Sequence, residues 1–533
     1  IYSLFSCQRM SGKNPGLYAA LALLSIMALY DMTGLCGGLF TAINIILAAA
    51  FAATLALAEP KTALTREKTC ERHLNIIMPC VAAIFAMQIL KTAWLSDDAY
   101  ITFRVADNFI NGHGLRWNVE ERVQPYTNTL WLFLVSGAYF IIRDIYASAM
   151  ILSFALTAAV VLLVKRVSRG MDAFVVSLAA LAFSKAFIDY STAGLENSLT
   201  HVIMALFFMV YKEKNGGVRI FLLSFLAGLG FLNRPDSVLL FGPAMVYVLR
   251  REMSIKAFFL SISALFPVLV WEVFSVLYYG FPLPNSFYAK AAAGIGRLAL
   301  LQHGFAYLVN SFVAGPLSLL YIAFGAVIAA SEKKEEERTA AVLFMSGAAL
   351  YLAYVVFIGG DFMSGRFIAA PFFMAVLVVS RSALFERQRF WQAALAAVMF
   401  AGMAAPYNTV RVFMNDQKKM WHKKWQITCE AEYYHPDTGL LSVIKKGRDA
   451  FLKSGPALDA EMVKRNNSGG KRKTAVTSAI GQLGFYCGPE VYVIDQVSIS
   501  DAFASRLPVY ERWRIGHFAR NWPEGYIDTK RNG

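Results

Sequence analysis

From residue 16 to residue 408 the chain alternates long apolar runs with polar connectors. The runs fall at about 16–34, 37–58, 75–94, 128–166, 172–190, 195–211, 218–232, 235–250, 256–279, 304–330, 339–358, 366–381 and 389–408. Stretches such as 39–58 and 256–279 carry almost no charge over about 20 residues, the length that roughly 30 Å of hydrocarbon demands at about 1.5 Å rise per residue. The pattern predicts a polytopic α-helical membrane protein. One run is too long for a single crossing: 128–166 would make a helix of about 58 Å, and Arg143-Asp144 interrupts it. The reading therefore divides it into a helix over 128–142, lying along or dipping into the outer leaflet, and a crossing over 144–166, for about 13 transmembrane helices in all.

The connectors are of two kinds. Short basic ones carry Arg9 and Lys13, Lys61 to Arg72, Lys165 to Arg169, Lys212 to Arg219, Arg250 to Lys256, and Arg381 to Arg389. The excess of Lys and Arg places these in the cytoplasm. The alternating connectors then lie outside, and they hold nearly every unusual polar residue of the membrane part: 95–127, GLEN at 194–197, NRPD at 233–236, 280–303 and GGDFMSGR at 359–366. From about 409 charged and turn residues return, and 409–533 reads as a small extracytoplasmic α/β domain. Its clearest pattern is TAVTSAIGQLGFYCGPEVYVIDQ at 474–496, a short helix or turn leading into the β-rich VYVID. KRNNSGGKRK at 464–473 reads as a flexible basic loop.

Composition agrees. Hydrophobic residues make up 57% and charged residues 16% of the 533, and the mean hydropathy is +0.47; soluble domains average about 25% charged residues. A soluble enzyme and a singly anchored receptor are excluded. The net charge of +15 sits mostly in short loops, where it sets topology and does not call for nucleic acid. No cleavable leader is expected, because the polar start is followed by two successive apolar runs. The six cysteines show no CxxC spacing, and a Cys429–Cys487 disulfide is open to formation in an oxidising compartment. There is no GxGxxG, P-loop, HExxH or serine-hydrolase elbow.

Asp97 and Asp98 follow directly on a predicted exit from the membrane. Adjacent carboxylates repel and are costly near lipid, so they bind a cation, accept a proton or orient a hydroxyl; the plainer reading is a solvated cap of an interfacial helix over 99–110. Arg104 and His113 offer polar contacts above that helix. Glu196 with Asn197 either begins a helix or binds. Arg234 and Asp236 flank a proline turn and can grip a phosphate, Tyr288 and Lys290 are an interfacial anchor or a phosphate site, and Asp361 with Arg366 is a simple pair or a lipid-phosphate site. Five such groups on one membrane face argue for one site there.

SDDAYITFRVADNFINGHGLRWNVEERVQPYTNTLWL at 96–132 resembles the first extracytoplasmic loop of GT-C glycosyltransferases, most closely that of bacterial terminal beta-arabinofuranosyltransferases. AGLENSLT at 193–200, FLNRPDSV at 231–238, PNSFYAK at 284–290, GGDFMSGRF at 359–367 and AIGQLGFY at 479–486 are similar to that group's later motifs, in the same order. The likeness spans about 75 to 410, leaving the first two apolar runs as additions within 1–74.

The resemblance implies an enzyme of the bacterial plasma membrane. It would transfer a sugar, arabinofuranose by the closest likeness, from a polyprenyl-phosphate donor to a cell-envelope glycan or glycoconjugate on the outer face. It assigns Asp97 to the acceptor hydroxyl and Asp98 to its support; Arg366, Lys290, Arg234 and Tyr288 to the donor phosphate; and Glu196, Asp236, Asp361, Arg104 and His113 to sugar hydroxyls. The Asp97–Asp98 pair permits a divalent metal, Mg or Mn, without requiring it. Outer aromatics, Trp421, Trp425, Tyr433, Tyr434, Trp513 and Trp522, either stack on an acceptor glycan or build the domain's own core. A protein acceptor such as a pilin is the main alternative. A lipid-linked-sugar transporter is the other, although its charges would sit at the bilayer midplane and a repeat would be expected.

Overall fold

The computed structural model describes residues 63–252, 254–291, 293–386, 388–403, 425–447, 455–465, 472–510 and 513–532. The predicted crossings at 16–34 and 37–58, most of the basic loop at 464–473, and Trp421 lie outside the described residues.

The helix Ala63–Thr92 ends at the exit from the apolar run, and the chain turns by 75° into the helix Asp97–Ile110. The turn is fixed locally: the Ser96 side chain accepts the Ala99 N–H at 3.2 Å, and Asp97 and Asp98 stand in the first turn, at the positive end of the helix dipole. This helix does not lie on lipid as its amphipathic pattern predicts. Tyr100, Phe103 and Val105 are fully buried, with the Tyr100 ring 5.6 Å from Phe485 and 5.7 Å from Tyr486, both in the C-terminal region. Most of the apolar face is covered by protein, and Phe109 near its end remains 40% exposed.

The predicted interruption of 128–166 is present. Thr129–Ile142 and Ile145–Val167 are separate helices, divided at Arg143, whose φ of 60° stops the first, and Asp144, which caps the second through the Ala147 N–H. Other runs expected as single crossings are broken as well. Ile255–Ala264 and Phe266–Tyr279 meet at 51°, Met171–Phe183 and Lys185–Ser191 at 73°, and Arg297–Ala314 and Pro316–Ser331 at 105°. Pro316 explains the last: it lacks the N–H that would continue the ladder and suits a helix start.

Among the described residues, three helices are long and apolar enough to cross a membrane unbroken: Ile145–Val167, Gly216–Asn233 and Glu335–Phe357. Counting each bent pair as one span raises the number to seven. The predicted count of about 13 includes two runs outside the described residues, and runs such as 195–211 and 235–250 give helices of only 17 and 15 residues with charged ends. The protein is a mostly helical, multi-pass membrane protein. Leu162, Leu277 and Phe305, each more than 60% exposed, present the outward apolar surface that lipid covers. Inside, helices approach closely over small residues: a Cβ on Gly347 would strike the Leu240 backbone of the neighbouring helix.

The C-terminal region contains a two-stranded parallel sheet, Thr474–Thr477 beside Tyr492–Asp495, with Thr474 opposite Tyr492 and Thr477 opposite Asp495. Parallel strands need a crossover, and the helix Gly481–Cys487 supplies it. This matches the α/β module expected at 474–496. Its core is shared with the membrane part: Ile480, Val491 and Val493 pack in one cluster with Val105, Trp117 and Leu232. Cys487 is buried there, whereas Cys429 lies beside Lys185, whose Nζ donates to its Sγ at 3.2 Å, so the contemplated disulfide is not formed.

Candidate active site

A cavity of about 110 Å³ lies where the 95–127 loop, the GLEN turn, the 280–303 connector and the GGDFMSGR loop meet the C-terminal region. One side carries Asp98, Glu196, Arg366 and Lys290; Ser478, Ile480 and His517 of the C-terminal region close the other. The convergence expected from the sequence is there for four of the five polar stretches, and the fifth, NRPD, reaches it through an ion pair.

The two adjacent aspartates are held differently. Both oxygens of Asp97 accept backbone N–H groups at the start of the helix Gly481–Cys487: Gly481 at 3.0 Å and Gln482 at 2.8 Å. Asp97 is 7% exposed and acts as the cap of that helix, 384 residues away in sequence. Asp98 makes no such bonds. Its side chain is 30% exposed toward the cavity, and its carboxylate lies 3.6 Å from the Arg366 guanidinium. Both aspartates line the cavity, but the oxygens of Asp97 are engaged by the two amides, whereas the Asp98 carboxylate is the more exposed of the two.

Arg366 is the hub. Besides Asp98 it pairs with Glu196 at 3.3 Å and Asp361 at 3.9 Å. Glu196, 2% exposed, also accepts from Arg234 at 2.8 Å and from the Asn128 amide at 3.0 Å. Asn128 in turn accepts the Thr102 hydroxyl at 3.1 Å. Arg234 is spent on Asp236, with two bonds of 2.7 and 3.0 Å, and its guanidinium stacks 4.5 Å over Phe367; neither Arg234 nor Asp236 lines the cavity. Tyr351 donates to Asp236 at 3.3 Å. The order Asp98, Arg366, Glu196, Arg234, Asp236 therefore alternates charge from the cavity into the protein, which compensates every buried ion. Asp361 lies behind Arg366, with one oxygen on the Phe362 N–H at 2.9 Å and the other without a hydrogen-bond partner among the described residues.

Other expected site residues are elsewhere. Arg104 is 2% exposed and turned away: it donates to the carbonyls of Trp117, Val491 and Gly484 and to the Asn118 amide, and lies 4.8 Å over Trp117. It ties the 95–127 loop to the C-terminal region. His113 sits in the turn after Ile110 and does not line the cavity. Tyr288 does not line the cavity: it lies beneath Arg506, at 4.6 Å, and against Phe281, while Ser286, buried, and Lys290, exposed, of the same helix Asn285–Ala291 do line it. The same helix is anchored by Asn285, whose amide donates to the carbonyls of Ser498, Ile499 and Asp501.

The aromatics named for glycan stacking mostly serve packing. Tyr434 stacks on Trp94 at 6.4 Å, Trp425 and Trp513 flank His303, and Trp522 meets Tyr526; Tyr433 remains 69% exposed.

A divalent metal finds little to hold it. Among the described residues no three His, Cys, Asp or Glu side chains converge as ligands, Asp97 gives both oxygens to amides, and cations flank Asp98. The donor set does not fit. Ser286, Asn128, Thr102 and His517 are cavity residues that sequence reasoning missed. Asn128 and Thr102 were visible inside the 96–132 motif, and Ser286 inside PNSFYAK. His517 had no signal, being placed by tertiary contact, its ring 4.3 Å from Phe362. Burial, together with Arg514 and Lys290, holds its imidazole down at about 4, hence neutral at pH 7.

The chain is 28% identical over 340 residues to a terminal beta-(1→2)-arabinofuranosyltransferase of Mycobacterium tuberculosis, covering 56% of this chain and 54% of that one. To the terminal beta-(1→2)-arabinofuranosyltransferase of Corynebacterium glutamicum it is 27% identical over 368 residues, 60% of this chain and 52% of that one. The chain thus spans about half the length of these curated relatives. No family model matches it, and no solved structure does. Over rather more than half of its length the chain is thus distantly similar to two terminal beta-(1→2)-arabinofuranosyltransferases.

Proposed function

We propose that the protein is a membrane glycosyltransferase that moves a sugar, arabinofuranose by its likeness to the two relatives, from a polyprenyl-phosphate donor to a cell-envelope glycan at the outer face of the plasma membrane. The observation that carries this reading is a carboxylate open to a cavity with cations beside it: Asp98, 3.6 Å from Arg366, with Lys290 at the cavity mouth. Glycosyl transfer from a lipid phosphate needs those two charges. A base must take the proton of the acceptor hydroxyl as its oxygen attacks the anomeric carbon, and positive charge must hold the phosphate as the anomeric C–O bond breaks.

In this reading Asp98 is the base, and Arg366 and Lys290 stabilise the departing polyprenyl phosphate. Glu196 fixes Arg366 by pairing with it, which keeps the guanidinium aimed at the cavity. At about 110 Å³ the cavity is too small for a polyprenyl chain, so the lipid tail would run outside it along the apolar surface. The topology supports the same side: nucleotide sugars are cytoplasmic, whereas the polar motifs share the face opposite the basic loops.

The test is transfer by the purified protein in detergent from polyprenyl-phosphate arabinose to a small arabinoside, run beside polyprenyl-phosphate donors of other sugars. Product from the arabinosyl donor supports the full reading, and product from another donor alone corrects the sugar. No transfer from any of them contradicts it.

A further inference from the structure

Ser286 is the one buried hydroxyl of the helix Asn285–Ala291 that lines the cavity, and nothing in the reading above uses it. It is 6% exposed, and its Oγ has no hydrogen-bond partner among the described residues. A buried hydroxyl left unpaired is costly, so a group of this kind at a cavity wall is one that a ligand satisfies. Lys290 follows four residues later on the same helix and lines the same cavity. Residues four apart share a face at about 6 Å. That is the scale separating a glycosyl phosphate group from the far hydroxyls of its own pentose ring. Across the cavity stand Ser478 and the neutral ring of His517, again uncharged hydrogen-bonding groups, while the charged groups cluster around Arg366.

We infer that Ser286 is a specificity residue of the donor-sugar subsite, exchanging a hydrogen bond with a hydroxyl of the sugar whose phosphate Lys290 holds. This rests on the proposed polyprenyl-phosphate chemistry and adds to it which residue reads the sugar rather than the lipid. The placement also explains why the helix is anchored so firmly: Asn285 pins its start to three carbonyls of the C-terminal region, which fixes the orientation of Ser286 one residue on.

The experiment is direct binding by the full chain in detergent of two ligands, polyprenyl-phosphate arabinose and bare polyprenyl phosphate, comparing wild type, Ser286→Ala and Ser286→Thr. Alanine is a better helix former than serine, so the first variant keeps its fold, and its thermal midpoint checks this. Expected is a loss of about tenfold in affinity of Ser286→Ala for the sugar-bearing lipid, the scale of one neutral hydrogen bond, with affinity for bare polyprenyl phosphate unchanged and recovery in Ser286→Thr. Equal loss for both lipids, or loss for neither, overturns the assignment while leaving the donor class intact. Wild type that binds neither lipid removes the donor class itself, and this assignment with it.

Discussion

The carboxylate of Asp97 receives the Gly481 N–H at 3.0 Å, joining the 95–127 loop to the start of a helix in the C-terminal region. The contact is close enough that a Cβ at Gly481 would collide with the Asp97 backbone carbonyl. One of two neighbouring acids is thereby consumed in docking, and the C-terminal region becomes a wall of the cavity that Asp98 faces. The two aspartates of one motif do different work, and this separation can be measured.

Gly481→Ala should loosen that wall. The added methyl group must displace either the Asp97 carbonyl or the helix, so both amide bonds to Asp97 are lost, and unfolding in detergent should be destabilised by on the order of 2 kcal/mol. Limited proteolysis followed by mass mapping of the first cuts should show earlier cleavage within 472–510. An unchanged cleavage pattern would mean that the contact does not hold the region down.

Arg104→Ala tests the same docking from another side. The guanidinium is buried and serves three carbonyls and an amide, so truncation leaves several acceptors unpaired and should cost about 3 kcal/mol or more. Activity should fall only as far as folded protein is lost, with KM for the acceptor unchanged in the fraction that stays folded. A specific change in acceptor KM would return Arg104 to a sugar-binding role.

Arg366 and Arg234 should separate in the same way. Removing Arg366 leaves Asp98 and Asp361 without their shared cation, so Arg366→Ala should lower kcat by roughly 10²–10³. Arg234→Ala strands Asp236 and weakens the support of Glu196, which should appear as lost stability of about 3–5 kcal/mol. Paired kinetics and thermal unfolding of the two variants decide this; equal kinetic losses at matched stability would place Arg234 in the site.

Glu430 supplies a pH signature. Burial and then the negative charge of Asp98 push its carboxyl up to about 8 from the usual 4.5, although Arg514 at 3.8 Å and the Thr428 hydroxyl oppose the shift. Between about 4.5 and 8 the folded state therefore keeps a proton that the unfolded chain has lost. Its contribution to stability is full below the lower value and disappears as pH rises through the upper one. Wild type should lose stability across that window relative to Glu430→Gln, and chemical denaturation of both proteins at pH 5, 6.5 and 8 should show the gap closing or reversing. Parallel pH curves would contradict the assignment.

What the sequence made legible follows from what each signal depends on. Alternation of apolar and basic segments located the membrane helices, and the Arg143-Asp144 pair correctly divided 128–166, because charge and hydropathy are local properties. The bends at Gly315-Pro316 and at Leu265 were not foreseen, since an apolar run reads the same straight or broken. The polar motifs led to Asp98, Glu196, Lys290 and Arg366 because ionisable residues beside apolar runs are conspicuous. Orientation was not legible: which of Asp97 and Asp98 has its oxygens taken up by backbone amides depends on a helix nearly 400 residues later, and Tyr288 and Ser286 differ only in the face of one short helix. His517 and the docking role of Arg104 likewise arise from contacts between distant segments, for which the sequence carries no periodic signal.

The most direct test of the central claim is the transfer assay from polyprenyl-phosphate arabinose to an arabinoside with three proteins side by side: wild type, Asp97→Asn and Asp98→Asn. The account predicts product from wild type, a loss of about 10²–10⁴ in rate for Asp98→Asn at unchanged stability, and for Asp97→Asn a smaller loss that tracks its lowered stability. Transfer by Asp98→Asn at the wild-type rate would contradict it.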